Sequence, residues 1–169
     1  MSVRLTGVTI TQSTVSIIKP DGSTLGSTMT TFLDPQTLPS TGSYAVLLDP
    51  SAAYTGNATV TLYDVPPDVT GSLTINGVAF HVSITVPGQQ AYLTFAGTSG
   101  QAITVRGANS TLGCVSILLT NPSGGGSSIG PCTASFTLAS TLTQTGTYTI
   151  RVDPSAANIG SVDMSVTSP

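Results

Sequence analysis

Glutamate and tryptophan are absent from this chain, lysine occurs once, at Lys19, and charged residues of every kind fill 7% of 169 positions, against roughly a quarter in an ordinary soluble domain. Glu and Lys are good helix formers, and the seven acids present are all Asp, which favours turns and caps over helix interiors. Essentially no helix is expected. Four basic residues and a net charge of −3 cannot line a groove that tracks a phosphate backbone, so nucleic acid is excluded as a partner. Apolar runs extend about four to eight residues before a Gly, Pro, Asp or Asn interrupts them, far short of the roughly 20 that a helical span requires, and no membrane insertion is expected. The opening "MSVRLTGVTI" lacks a long apolar stretch ending in a small-residue cleavage site, so it is not read as an export signal.

What is present is repetition. The stretch "TGSYAVLLDPSAAYTGNATVTLYDV" at 41–65 returns as "TGTYTIRVDPSAANIGSVDMSVTSP" at 145–169. Tyr44 matches Tyr148, Asp49-Pro50-Ser51 matches Asp153-Pro154-Ser155, and Gly56 matches Gly160, all at one offset. Further back, Phe32 matches Phe136, "VSIIKPDG" (15–22) faces "VSILLTNPSG" (115–124) after small insertions, and "SVR" (2–4) resembles "TVR" (104–106). A period of about 100 residues is domain-sized, so a whole module is duplicated. The second copy, 68–169, is complete. The first, 1–67, is partial, because it lacks counterparts of the segment 70–103; that segment serves both copies in one fused sandwich, or one copy keeps an unfilled edge.

Within each copy the period is two. Tyr148, Ile150 and Val152 share one face, and Val162, Met164 and Val166 do likewise in the last segment, the mark of strands with one face in a core. Asp-Pro followed by a later Gly reads as a turned loop between two strands of a hairpin, and Asn76-Gly77 between alternating apolar residues reads as a tight hairpin turn. Short strands at this spacing predict an all-β fold, an antiparallel jelly-roll-like β-sandwich in tandem modules.

The two cysteines, Cys114 and Cys132, bracket "VSILLTNPSGGGSSIGP". They are a disulfide if the flanking strands are neighbours, which implies an oxidising compartment, and free core thiols if not. With His81 the one histidine, they do not form a zinc site.

The order "ITVPGQQAYLTFAGTSGQAITVR", then "VSILLTNPSG", then "TLTQTGTYTIRVDPSAANIGSVDMSV" resembles the bacterial pre-peptidase C-terminal domain, over the whole second copy and the later two thirds of the first. The resemblance implies a jelly-roll-like β-sandwich appended to secreted bacterial proteins, acting as a binding, spacing or processing module and not as a catalyst.

Catalytic chemistry finds little purchase. "GSSIG" (126–130) fits the Gly-x-Ser-x-Gly pattern with Ser128 as nucleophile, but that elbow needs a strand before it and a helix after it. His81 is the one candidate base, and alternation puts it on an exposed face with no carboxylate visible in the sequence to orient it. The aspartates sit beside Pro or Gly or at strand ends, where turn chemistry accounts for them. Asp64 and Asp68 are the one loop pair that offers oxygen ligands for calcium; no other cofactor is implied. Tyr54, Tyr63 and Tyr92 are the aromatic residues left outside for stacking on a polysaccharide.

A long β chain with one lysine has little to guard its strand edges. The expected function is therefore a non-catalytic extracellular or cell-surface structural or adhesive protein, a homo-oligomer or polymer built by head-to-tail β-edge contacts. The alternative is an accessory module of a secreted bacterial hydrolase that binds polysaccharide or a cell-surface protein.

Overall fold

The computed structural model describes all residues, 1–169, and divides the chain into two units, Met1–Val65 and Pro66–Pro169, with no helix in either. The first unit holds β1 (Ser2–Thr6), β2 (Ser13–Ile18), β3 (Thr24–Thr28), β4 (Phe32–Leu33), β5 (Ala45–Pro50) and β6 (Thr59–Tyr63). They form two antiparallel three-stranded sheets, ordered β4-β1-β6 and β3-β2-β5. Alternation along β1 and β2 turns Val3, Leu5, Val15 and Ile17 inward, and with Leu33 these make the buried core of the unit.

The second unit adds β7 (Val69–Ser72), β8 (Phe80–Ile84) and β9 (Ala91–Gly97) before the repeated set β10 (Ala102–Ala108), β11 (Val115–Thr120), β12 (Gly126–Ile129), β13 (Phe136–Thr141), β14 (Gly146–Pro154) and β15 (Gly160–Thr167). Its sheets are β13-β10-β15-β8 and β12-β11-β14-β9-β7. Every pair is antiparallel except β7 with β9. The two inner faces close over one large core that includes Leu93, Phe95, Tyr148, Ile150, Met164 and Val166. Each such side chain contributes about 1.5–3 kcal/mol by leaving water. The all-β sandwich architecture is thus the observed one.

Removing β7, β8 and β9 from the second unit leaves the strand order of the first, with β1 to β6 in the places of β10 to β15. Even the loop clasps recur. Thr9 donates its amide to Asn57 O and accepts from Asn57 N at Oγ1, and Thr111 does the same with Ser161. Register also corrects the sequence alignment. The turn bond from Gly22 N to Lys19 O recurs from Gly124 N to Asn121 O, so "KPDG" lies on "NPSG" with no insertion, and the "VSI" match is displaced by two residues.

Four local expectations are corrected. The duplicated "strand, loop, strand" is not a hairpin: β5 pairs with β2 and β6 with β1, so the loop carries the chain from one sheet to the other, as β14 and β15 do in the second unit. The turn starts two residues later than Asp-Pro suggests. Asp49-Pro50 still belongs to β5, and the closing bonds run from Tyr54 N to Ser51 O and from Asn158 N to Ser155 O. Asn76-Gly77 makes a real turn, with Asn76 at φ +61° and Gly77 N bonded to Thr74 O. Yet β7 and β8 lie in different sheets, because Leu73 and Ile75 pack into the core along the crossing. Finally, β12 forms where a flexible Gly-rich loop was expected, since the edge of β11 templates it, Leu118 facing Ser128.

Candidate functional site

The feature that separates the two units is one uncovered side of the first. In the second unit β14 is laddered on both sides, by β11 and β9, and β15 by β10 and β8. In the first, β5 has only β2 and β6 only β1. Both sheets therefore stop, side by side, at strands built to be interior ones.

Side-chain burial records what is missing. Val60 and Leu62 are 40% and 52% exposed, while their counterparts Met164 and Val166 are both 0% exposed. Val46 and Leu48 are half-buried where Ile150 and Val152 are fully covered. On the outer face of β5, Leu47 is half exposed where the second unit carries Arg151, which ion-pairs with Asp153 at 3.7 Å. β5 and β6 hold one carboxylate between them, Asp49, and no basic residue. The edge thus presents unpaired backbone groups and an apolar seam without the charges that usually discourage pairing.

A second cluster lies on the outer face of the four-stranded sheet. Register sets His81 of β8 opposite Asp163 of β15, and His81 Nδ1 lies 2.7 Å from Asp163 Oδ1. Asn109, at φ +53° just beyond β10, donates from Nδ2 to Asp163 Oδ2 at 2.8 Å. The Asn109 amide first, and the His81 ring second, hold the Asp163 carboxyl below its ordinary range. The expectation that His81 has no orienting carboxylate is overturned: sequence distance hid a cross-strand pair. Ser128 is not brought to it. That serine lies in β12, at the edge of the other sheet, so the cluster is an imidazole and a carboxylate without a nucleophile.

The other residues singled out in the sequence fall as follows. Cys114 and Cys132 are joined in a disulfide, one before β11 and one after β12, which are paired strands. A structural disulfide belongs to an oxidising compartment outside the cytoplasm. Asp64 lies in the first unit and Asp68 in the second, where the Asp68 Oδ1 accepts the amide of Gln90 at 2.9 Å and so fixes the start of β9. No group of three or more His, Cys and Asp side chains gathers in a metal-holding arrangement. Tyr54 lies in the loop after β5, Tyr63 ends β6, and Tyr92 in β9 is half-buried with its hydroxyl bonded to Gln90. Reasoning from the sequence missed Val60 and Leu62 as exposed groups. The signal was available, since both align with core positions of a copy that has the extra strands.

No family model matches this sequence, and no curated protein does. Among solved structures, the chain is similar to the pre-peptidase C-terminal domain of a collagenase from Bacillus anthracis, at 14% identity and a TM-score of 0.47, with 61% of this chain and 99% of that one covered. It is also similar to PliG of Aeromonas hydrophila, a periplasmic inhibitor of g-type lysozyme, at 14% identity and a TM-score of 0.41, with 59% of this chain and 98% of that one covered.

Proposed function

We propose that this is a non-catalytic extracellular β-sandwich protein with a structural or adhesive role, which self-associates through the uncovered side of its first unit. The observation that carries this reading is the pair of strands β5 and β6, each with one ladder where its counterpart has two. An unpaired strand of alternating apolar residues recruits another strand, because every backbone hydrogen bond that it forms removes a cost and every inward side chain leaves water. Low charge adds to this, since a chain of net charge −3 repels its own copies weakly.

The disulfide supports a site of action outside the cytoplasm. A head-to-tail contact propagates into a fibre, whereas a two-fold contact closes as a dimer. Light scattering across a concentration series, with negative-stain electron microscopy of the same samples, tests the reading. The expected result is a species of at least twice the chain mass that grows with concentration. A chain that stays monomeric at millimolar concentration overturns it.

A further inference from the structure

Resting on that self-association, we infer that the uncovered side of the first unit takes the same side of a second copy of the chain. The two copies are related by a two-fold axis normal to the sheets, with β5 running antiparallel to β5 and β6 antiparallel to β6.

The second unit supplies the template for the occupant. There the two positions are filled by β8 and β9, both antiparallel to the strands that they cover. β9 turns Ala91, Leu93 and Phe95 inward, and β8 turns Val82 and Ile84 inward. A partner must therefore bring two strands at once, antiparallel, apolar on alternate residues and poor in charge. β5 and β6 meet the chemical part of that description, with Val46 and Leu48 on one, Val60 and Leu62 on the other, and Asp49 the sole ion.

Strand polarity rules out the in-line arrangements. In an antiparallel sheet of three strands the two edges run in the same direction, so β3 is parallel to β5 and β4 to β6. Sliding a second copy into line, its β4 and β3 toward the open side, makes parallel pairs in both sheets. The β12 and β13 edges of the second unit give the same result, since they occupy the places of β3 and β4. Turning a second copy by a half-turn instead sets each open strand against itself, and that pairing is antiparallel in both sheets together. This contact continues the pattern that β8 and β9 follow, and the in-line contacts do not. It closes, as an isologous interface does, and it turns two three-stranded sheets into a six-stranded sheet in each layer.

The test uses the full chain. Leu47 lies mid-strand on the outer face of β5, so a cysteine there lies close to its mate across the axis, while both native cysteines are already paired. Leu47→Cys is expected to give a disulfide-linked dimer on a non-reducing gel after mild oxidation. Arg151→Cys, at the matching position of the doubly laddered β14, is expected to give none. Val60→Lys, a charge on the inner seam, is expected to weaken the dimer at least tenfold by light scattering, with the circular dichroism spectrum unchanged. A dimer or any larger assembly that forms without the Leu47→Cys link overturns the β5-to-β5 pairing and leaves self-association standing. A chain monomeric at every concentration overturns both. Because the cross-link is a gained signal, loss of folding in Val60→Lys does not blunt the test.

Discussion

Tyr148 and Tyr44 occupy one repeated position with unequal backing. The Tyr148 hydroxyl donates to Gln144 O at 3.0 Å and accepts from Gln144 N at 3.1 Å, so that the side chain staples the approach to β14. Tyr44 does this to Ser40 at 2.9 and 3.3 Å. This is the tyrosine corner of β-sandwich folds. Tyr148 is buried and Tyr44 is not, so loss of the hydroxyl strands a partly buried amide only in the second unit. Tyr148→Phe should cost about 1–3 kcal/mol and Tyr44→Phe less, as read from urea unfolding midpoints. Asp163 yields a pH prediction. Its folded carboxyl titrates below the ordinary value, so its stabilising contribution is present above the unfolded value near about 4 and fades as the pH falls through the folded one. Asn109→Ala removes the leading cause and should move the Asp163 titration upward, as seen in its carboxyl carbon shift by NMR.

At the scale of the strand, one sequence motif meets two environments. Met164 in β15 is enclosed between sheets, and Val60 at the same place in β6 is open. Met164→Ala should therefore destabilise by about 2–5 kcal/mol, while Val60→Ala, measured in dilute monomeric protein, should change stability by less than about 1 kcal/mol; thermal melts of the two variants check this. The contrast shows what the sequence could reveal. Alternation at Tyr148, Ile150 and Val152 names the inward face, because side-chain direction on a strand is local geometry. Which sheet a strand joins is a choice made by distant partners. The arch at 51–58, the parallel β7 and the strand β12 were hidden for that reason, although their turn residues were plain. His81 and Asp163 met the same limit, lying 82 positions apart and directly opposed.

For the molecule as a whole, the unequal cores matter most. Five buried apolar residues gather in the core of the first unit, against twenty in that of the second. A domain of about 60 residues buries a smaller share of its surface on folding than a larger one does, and is marginal alone. Calorimetry should show two transitions, the lower from the first unit. Reduction of Cys114–Cys132 should lower only the upper one, since the bridge closes a loop spanning 18 positions and its loss costs about 3 kcal/mol on the chain-entropy model; a single transition that responds as a unit contradicts the assignment. The incomplete copy was foreseeable from the missing counterpart of 70–103. That both sheets end on the same side was not, because it depends on how β8 and β9 are shared between layers.

The scarcity of basic residues has one further consequence. Arg4, Arg106 and Arg151 lie in β1, β10 and β14, each an interior strand of its sheet, and Lys19 is followed by Pro20. A protease that cuts after basic side chains therefore finds no susceptible bond in a loop. While folded, the chain stays whole in a trypsin-rich medium, and it becomes digestible only when a sheet opens.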